Sequence, residues 1–358
     1  MRYFGGSPSS GARGLNTAVA SVIEPPLASD ASALADWAEL LILAEGAETL
    51  TRVEIKRQLQ DEPHEEPIEA DDRAGAEIEV AELETMVRGD QRADRLLAEI
   101  ARRSETAPRI YQFTVEDDVI AWAEEVPGGT IYAFLRWLSV PRAPFRKERT
   151  AEVELPLDEL GLAALQVLIG PDAEGVLFAR RYAADPATDS VRPTSFPDAI
   201  RWLRGRLKLL AGLELVPDGA PPDDEGDHPA RTYNDGGADI VAWRHFADGR
   251  AGFPTVLGQC TIQFKWRPKT TDIVLDLWAD WIRFVTTPQK ALILPFAVPD
   301  GKSWWRDRSR TAGMILDRMR LCELLDSLTT EDLGALQAAR MSDWLWKERD
   351  EFEASVAA

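Results

Sequence analysis

Residues 233–269 read YNDGGADIVAWRHFADGRAGFPTVLGQCTIQFKWRPK, and they contain the clearest pattern in the chain. A turn of Asp and Gly precedes the apolar run 240–243, and a polar loop separates that run from a second one, 256–262. Short apolar runs bounded by turn residues predict two strands joined by a loop. A carboxylate, Asp239, opens the first strand, and an amide, Gln259, lies within the second.

If these strands pair, side-chain alternation can bring Asp239 and Gln259 to one side of the sheet. Carboxylate and amide oxygens are ligands that Mg²⁺ takes, with water completing the shell. A metal ion held at a strand edge can activate water and stabilise the charge that develops on a phosphodiester. The alternative interpretation is structural: residues 235–237 form a turn that Asp239 caps, and Gln259 is a buried amide satisfied by the backbone.

The pattern Y-N-D-G-G-A-D-I-V-A-W followed by G-Q-C-T resembles the core of PD-(D/E)xK nucleases, above all their Mrr-like restriction branch. In that branch a G-D-G-G-x-D strand precedes a Q-x-K strand, the Asp and Gln bind metal, and the Lys assists the attacking water. The resemblance covers roughly residues 155–298. It implies a restriction-endonuclease-like α/β fold, with a small mixed sheet flanked by helices.

By position, the resemblance implies that Asp239 and Gln259 bind Mg²⁺ or Mn²⁺ and take part in catalysis. An acid from a preceding helix often joins such a site, and Asp158 or Glu159 is the candidate here. Asp198 of the next predicted helix is a weaker one.

The sequence departs from the family pattern at Thr261, where the motif has lysine. A threonine hydroxyl cannot supply the positive charge that stabilises an attacking hydroxide. We expect Lys269, or alternatively Lys265, to bring an ammonium into the catalytic site from the following turn. The competing interpretation is that both are surface lysines.

Aromatic side chains near cations can stack on bases and contact phosphates. Trp304 and Trp305, in a predicted loop at 300–310, are therefore candidates for nucleic-acid contact, together with Arg267. Asp235 matches the acid of the family's turn and is assigned to the same interface. Nucleic acid, in the first place DNA, is the expected partner.

The formal net charge of −20 opposes a nucleic-acid partner at first sight. The charge is uneven, however: residues 61–85 contain eleven acidic side chains and one arginine, whereas residues 263–310 contain nine Lys or Arg and five acids. The C-terminal part is thus locally basic. No apolar run approaches the ~20 residues of a membrane helix, so no membrane partner is expected.

The length suits two domains, or one domain with substantial additions. Residues 1–30 are expected to be flexible, and residues 31–150 to form a mostly helical recognition or partner-binding domain with an acidic linker at 61–79. Residues 151–358 are expected to form the nuclease domain with C-terminal helices. The predicted helices are 32–46, 48–60, 80–103, 157–169, 196–213, 272–286, 311–327 and 330–355. The predicted strands outside the opening stretch are 110–122, 175–182 and 291–298, and 130–140 is either a strand or a buried helix.

Some single residues carry predictions of their own. Asp30 or Ser32 is the candidate cap of the first helix. Pro156 and Gly170 are the expected start and stop of the helix at 157–169. Trp278 and Trp281, three residues apart on a predicted helix, are expected to be core residues. Cys260 faces away from Gln259 and is expected to be a buried structural thiol.

These patterns predict a metal-dependent nuclease that hydrolyses DNA or RNA in a bacterial restriction or anti-phage defence system. The first alternative is a catalytically inactive, nuclease-like subunit that serves as a structural or nucleic-acid-binding component. The second is a protein scaffold whose acidic segment docks onto a basic partner. Two cysteines, Cys260 and Cys322, cannot form a disulfide framework, so a cytoplasmic location is expected.

Overall fold

The structure is a computed structural model of the chain. Its contacts divide the chain into two compact units, one from Met1–Ala133 with Ser342–Ala358 and the other from Phe134–Met341. This division lies earlier in the chain than the predicted boundary at residue 150. The structure describes residues 30–45, 47–60, 74–123, 126–140, 150–179, 184–185, 190–191, 193, 195–206, 235–263, 265–282, 284–298, 302–337, 341, 344–345 and 347.

The first unit combines helices with a small antiparallel sheet. Its elements are α1 (Ala31–Glu45), β1 (Thr49–Thr51), α2 (Arg52–Gln60), α3 (Ala74–Thr106), β2 (Phe113–Glu116), β3 (Val119–Trp122) and the start of α4 (Gly129–Leu138). The strand order is β1-β3-β2, and both pairings are antiparallel. Asp30 caps α1 as predicted, since its Oδ1 accepts a hydrogen bond from Ser32 N at 2.8 Å.

Several predictions for the first unit need correction. Residues 110–122 form a hairpin instead of one strand, because Asp117 and Asp118 have positive φ angles of 48° and 62°, as a tight hairpin turn requires. The predicted helix 48–60 begins as β1 and becomes helical at Arg52. Residues 130–140, left open between strand and helix, lie largely in α4.

The predicted helix 80–103 is confirmed within α3, which begins at Ala74 and so includes the end of the predicted acidic linker. Residues 61–73 of that linker and residues 1–29 of the predicted flexible terminus lie outside the described residues. Among the described residues, no helix is both long and apolar enough to cross a membrane.

Buried charges in the first unit are paired. The guanidinium of Arg103, which is 0% exposed, donates to Glu39 and to Asp36 at 2.7 Å each. Glu39 also accepts from the hydroxyls of Tyr111 and Tyr132 at 2.7 Å. Burial opposes the charge of Arg103, but Glu39 and Asp36 outweigh it and raise the pKa of Arg103 well above its usual value. We refer to these five residues as the Arg103 cluster.

The second unit is built on a five-stranded mixed sheet, as predicted for the α/β part of the chain. Its elements are α5 (Thr150–Ile169), β4 (Glu174–Leu177), β5 (Ala184–Asp185), β6 (Ser190–Val191), α6 (Phe196–Arg206), β7 (Ile240–Trp243), β8 (Thr255–Cys260), a 3₁₀ helix (Arg267–Thr271), α7 (Leu275–Ala279), β9 (Gln289–Ile293), α8 (Lys302–Ala312), β10 (Met314–Leu316), α9 (Arg318–Asp326) and α10 (Thr330–Leu336). The strand order is β10-β9-β8-β7-β4. The pairs β4–β7 and β7–β8 are antiparallel, whereas the pairs β8–β9 and β9–β10 are parallel. The hairpin of β7 and β8 confirms the two predicted strands.

Helix α5 packs closely on one face of this sheet. A Cβ at Gly161 would lie 2.9 Å from Ile240 Cδ1 and 3.3 Å from Cys260 Sγ, so the helix approaches the strands at a position without a side chain. A Cβ at Gly258 would likewise lie 3.0 Å from Leu165 Cδ1. The alternation along β8 therefore directs Cys260 to the α5 face and Gln259 to the opposite face.

The opposite face of the sheet packs against an apolar core of the second unit. Trp278 and Trp281, predicted to be core residues, are both buried in it. The fully assembled cluster consists of Phe178, Phe196, Ala199, Ile200, Leu203, Ala238, Val241, Trp243, Phe253, Leu257, Ile273, Leu277, Trp278, Trp281 and Ile282. A core of this size is expected to dominate the stability of the unit.

Three predictions for the C-terminal part are wrong. Residues 300–310, predicted to be a loop, lie mainly in helix α8. Residues 272–286, predicted to be one helix, contain an extended Val274 and the five-residue α7. Residues 311–327, also predicted to be one helix, contain strand β10 followed by α9.

Other boundaries shift less. Helix α5 begins at Thr150 and contains Pro156, which was predicted to start it, and it stops before Gly170, whose φ of 112° confirms the predicted stop. Strand β4 covers only the start of the predicted strand 175–182. Helix α6 is described as far as Arg206, and α10 ends at Leu336.

Candidate metal centre

The side chain of Asp235 stabilises the turn before β7. Asp235 Oδ1 accepts a hydrogen bond from Gly237 N at 2.9 Å, and its carbonyl accepts one from Ala238 N at 3.1 Å. Gly237 has a φ of 77°, and a Cβ there would lie 2.0 Å from the carbonyl oxygen of Asp272. Only glycine fits this position, for conformational and for steric reasons. The turn thereby determines where the chain enters β7.

Asp239 lies immediately after this turn and is almost fully buried, at 4% exposure. Its backbone N–H donates to the Gly258 carbonyl at 2.8 Å, which continues the β7–β8 pairing by one residue. Its carboxylate Oδ2 accepts the backbone N–H of Cys260 at 2.8 Å. The side chain is therefore fixed at the edge of the sheet where β7 begins and β8 ends.

Helix α5 brings a second carboxylate to this edge. Asp158 is 0% exposed and lies three residues before Gly161, on the same side of the helix. One potential ligand atom from each of Asp158, Asp239 and Cys260 lies within 4.8 Å of the other two. We refer to these three residues as the carboxylate cluster.

The chemistry of this cluster fits a divalent cation. Two carboxylates supply hard oxygen ligands, which suit Mg²⁺ and Mn²⁺. The Cys260 thiol is a softer ligand that Mg²⁺ does not favour. Placing two carboxylates this close disfavours their joint ionisation unless a positive charge joins them. Asp158 and Asp239 could therefore hold the ion, with Cys260 beside them.

Gln259, the predicted amide ligand, is half-buried and lies on the other face of β8 from Cys260. Its Nε2 donates to the Cys260 carbonyl at 3.3 Å. It lines a shallow hollow together with Lys269, Thr270, Ile273, Lys290, Ala291, Leu292 and Ala312. The structure thus places Gln259 next to the carboxylate cluster along the strand and directs its side chain into a separate feature.

The other proposed acids lie elsewhere. Glu159 is half-buried and does not belong to the carboxylate cluster, so α5 supplies Asp158 alone of the two predicted candidates. Asp198 is exposed at the start of α6, where it accepts a hydrogen bond from the Ser195 hydroxyl at 2.6 Å and pairs with Arg201.

At the position where the nuclease motif has lysine, this chain has a buried threonine, Thr261. Thr261 is 6% exposed, and its hydroxyl accepts the backbone N–H of Gln263 at 3.2 Å. Lys269 Nζ lies 2.9 Å from Asp272 Oδ2, so the favoured replacement lysine forms an ion pair. Lys265 is exposed.

The predicted nucleic-acid contacts are spread along the chain. Arg267 is exposed at the first position of the 3₁₀ helix. Trp305 is half-buried in α8, with the Arg320 guanidinium 4.6 Å from its ring centroid. The side chain of Trp304 lies outside the described residues. Asp235 holds the turn before β7, which is a structural role.

Two residues of interest were missed in the sequence. Cys260 was expected to be a buried structural thiol, and it is buried, but it also belongs to the carboxylate cluster. Lys290 in β9 was not singled out, although it lines the same hollow as Gln259. Burial lowers the pKa of Lys290. The pairing of β8 with β9 is what brings Lys290 near Gln259, and no local pattern in the sequence indicates that pairing.

No protein-family model, no curated protein and no solved structure matches this chain.

Proposed function

We propose that the second unit is the catalytic domain of a metal-dependent nuclease of the PD-(D/E)xK type, hydrolysing phosphodiester bonds in DNA. The observation that carries the proposal is the meeting of Asp158 and Asp239 within the carboxylate cluster. The resemblance at residues 235–261 implied a strand aspartate together with an acid from a preceding helix. These two residues lie far apart in the sequence, and folding gathers them at one sheet edge.

The sheet supports the same proposal. A helix, α5, precedes an antiparallel group of strands, and the strand that carries Asp239 lies beside the strand that carries Gln259. A mixed sheet flanked by helices is what the restriction-endonuclease-like fold requires. A host-defence role in a bacterial cytoplasm, as in restriction or anti-phage systems, belongs to this proposal.

Each residue of the carboxylate cluster has a defined task. The carboxylates of Asp158 and Asp239 would hold Mg²⁺ or Mn²⁺ at the end of β8. The backbone N–H of Cys260 orients the Asp239 carboxylate through a 2.8 Å hydrogen bond. When bound, a divalent cation supplies activation of water and stabilisation of negative charge on the phosphate. Burial of both carboxylates lowers the local dielectric and strengthens such electrostatic effects.

The first unit would then serve as a recognition or partner-binding module. It has its own sheet and its own buried Arg103 cluster. A protein partner that binds this unit could control a nuclease that would otherwise damage its host.

Cleavage of supercoiled plasmid with Mg²⁺ or Mn²⁺ tests the proposal. The wild type is expected to nick or linearise the plasmid, and Asp239→Asn is expected to lose activity by about a hundredfold or more, as when one electrostatic group at a reacting centre is removed. Asp276→Asn, a change at an exposed acid in α7, is the matched control and should cleave like the wild type. Equal cleavage by the wild type and Asp239→Asn would refute the catalytic proposal, and a single-stranded RNA substrate extends the assay to RNA.

A second candidate function is a nuclease-like subunit that binds metal and nucleic acid without cleaving. Thr261, buried and hydrogen-bonded at the lysine position, favours it, as does the Lys269–Asp272 ion pair. This candidate predicts metal binding that depends on Asp239 and no cleavage by the wild type. The same set of variants therefore separates the two functions.

A further inference from the structure

The thiol of Cys260 has no part in the hydrolysis proposed above, yet it lies among the proposed metal ligands. Strand alternation directs this side chain to the face of the sheet that α5 covers, and its Sγ lies 3.3 Å from where a Cβ of Gly161 would stand. Asp158 lies one turn earlier on the same side of α5. The packing of α5 on the sheet thus brings a sulfur donor to the two carboxylates.

The three donors of the carboxylate cluster differ from the ligands that Mg²⁺ selects. Mg²⁺ takes oxygen ligands in octahedral geometry and keeps several waters. Zn²⁺ takes Cys sulfur, His nitrogen or carboxylate oxygen in tetrahedral geometry, and its catalytic sites combine three protein ligands with one open position. The cluster offers two carboxylates and one thiol, which is a ligand set of the second kind.

Burial of the cluster favours the same cation. Asp158, Asp239 and Cys260 are 0%, 4% and 6% exposed. An ion among such ligands keeps few waters, and Mg²⁺ loses its waters reluctantly. Zn²⁺ lies about 2.0–2.3 Å from oxygen and sulfur ligands. Donor atoms that lie within 4.8 Å of one another would therefore close on it through small side-chain rotations.

We propose that the carboxylate cluster binds Zn²⁺ in preference to Mg²⁺, with Cys260 Sγ as the third protein ligand beside Asp158 and Asp239. The thiol proton passes to solvent on binding, because the thiolate is the metal ligand. The inference rests on the proposed function, because it concerns the cation of the same site. Zn²⁺ then competes with the Mg²⁺ or Mn²⁺ of the proposed nuclease, and the available cations regulate which ion the site contains.

Titration with Co²⁺, a spectroscopic substitute for Zn²⁺, tests the inference by absorption. A thiolate bound to Co²⁺ gives a charge-transfer band in the near ultraviolet that carboxylate ligands do not give. The wild type is expected to bind Co²⁺ with this band, and Zn²⁺ should abolish the band while Mg²⁺ at the same concentration should not. Co²⁺ binding without the band, or no Co²⁺ binding, would overturn the inference.

The second cysteine of the chain provides a matched control. Cys322 is also buried, but it lies in α9 and does not belong to the carboxylate cluster. Cys322→Ser should give the band of the wild type. Cys260→Ser should lack it and bind Zn²⁺ at least about tenfold more weakly, since even the loss of a partner outside the first ligand shell costs that much.

Circular dichroism shows whether both serine variants fold. A band that persists in a folded Cys260→Ser would place the sulfur ligand elsewhere and contradict the inference. If Cys260→Ser does not fold, the spectrum of the wild type still decides, because the band requires a sulfur ligand, and Asp239→Asn locates it: the band should weaken in this variant, and an unchanged band would exclude the carboxylate cluster.

The failure of this inference can be told apart from the failure of the proposed function. If the wild type gives the charge-transfer band but does not cleave plasmid with Mg²⁺ or Mn²⁺, the catalytic proposal falls and the role of Cys260 as a ligand remains. If cleavage depends on Asp239 while Cys260→Ser and the wild type bind Zn²⁺ equally well, the nuclease remains and this inference falls.

Discussion

The Arg103 cluster and the carboxylate cluster both bury charged groups, but they do so in opposite ways. In the first unit, Arg103 donates to Glu39 and Asp36 at 2.7 Å, so the protein balances its own charge. In the second unit, the sheet edge brings together two carboxyl groups, those of Asp158 and Asp239. Balanced burial stabilises a fold once it has formed, whereas gathering like charges is costly. The contrast favours a structural role for the first cluster and agrees with the ligand-binding role that we propose for the second.

The largest effect is expected for Arg103→Met, which leaves Glu39 buried without its cation. Such a break in a buried ion pair costs about 3–5 kcal/mol of unfolding free energy. Urea denaturation monitored by circular dichroism measures it. Arg102→Met is the matched control, since that side chain is 55% exposed, and its ion pair with Glu99 is worth about 1 kcal/mol at most. Equal losses in the two variants would contradict a structural role for the buried cluster.

A smaller but still large effect is expected for Gly237→Ala. A Cβ at this position would lie 2.0 Å from the Asp272 carbonyl oxygen, and the φ of 77° is unfavourable for alanine. We expect a loss of at least about 2 kcal/mol of unfolding free energy, together with a loss of metal affinity because the turn positions Asp239. Gly334→Ala is the control, because nothing lies within 4 Å of a Cβ there. Retained stability in Gly237→Ala would show that the turn does not fix the cluster.

The pH dependence of stability offers a third comparison. Burial opposes ionisation of Glu99, but hydrogen bonds and charges from Arg102 and Arg103 outweigh it and lower the pKa of Glu99. A carboxyl with a lowered folded-state pKa stabilises the protein above its unfolded-state pKa, and this contribution is lost as the pH falls through the folded-state value. Urea midpoints at pH values below the usual carboxyl range should therefore fall more steeply for the wild type than for Glu99→Gln. Parallel curves for the two proteins would show that ionisation of Glu99 does not contribute to the pH dependence of stability.

The smallest change in stability is expected for Asp158→Asn. Neutralising one of two adjacent carboxylates relieves repulsion, so the unfolding free energy should stay within about 1 kcal/mol of the wild type or increase. Thermal melts without metal measure this. The same variant should lose the stabilisation that Mn²⁺ gives the wild type. A large destabilisation in the absence of metal would make the carboxylate cluster structural, like the Arg103 cluster.

Local patterns in the sequence identified the centre of the second unit but not its surroundings. The β7–β8 hairpin, the buried Trp278 and Trp281, and the Gly170 stop were predictable because each depends on nearby residues. The Asp-Gly-Gly turn was recognised for the same reason.

The errors arose where distant contacts decide the structure. Residues 302–312 have the composition of a loop, yet Trp305 and Ala312 pack against Leu292 and Ile315, and tertiary packing of this kind stabilises helices that local propensity does not favour. Strand β10 is stabilised by its parallel pairing with β9, and no local periodicity in the sequence indicates that pairing. Gly313, with a φ of 78°, separates the helix from the strand.

The candidate site was likewise predictable from the sequence only in part. Asp239 could be identified from the sequence because it lies just before a predicted strand. The choice between Asp158 and Glu159 could be made only from the structure, because it depends on how α5 packs at Gly161. Alternation correctly directed Cys260 away from Gln259. The orientation of the Asp239 carboxylate toward Cys260 depends on a hydrogen bond outside the regular strand, which alternation does not predict.

The central claim is that Asp158 and Asp239 form a metal site, and isothermal titration with Mn²⁺ tests it most directly. The wild type and Asp276→Asn should bind Mn²⁺ with the same affinity, and Asp239→Asn should bind it at least about tenfold more weakly. Equal Mn²⁺ affinity in Asp239→Asn and the wild type would contradict the claim.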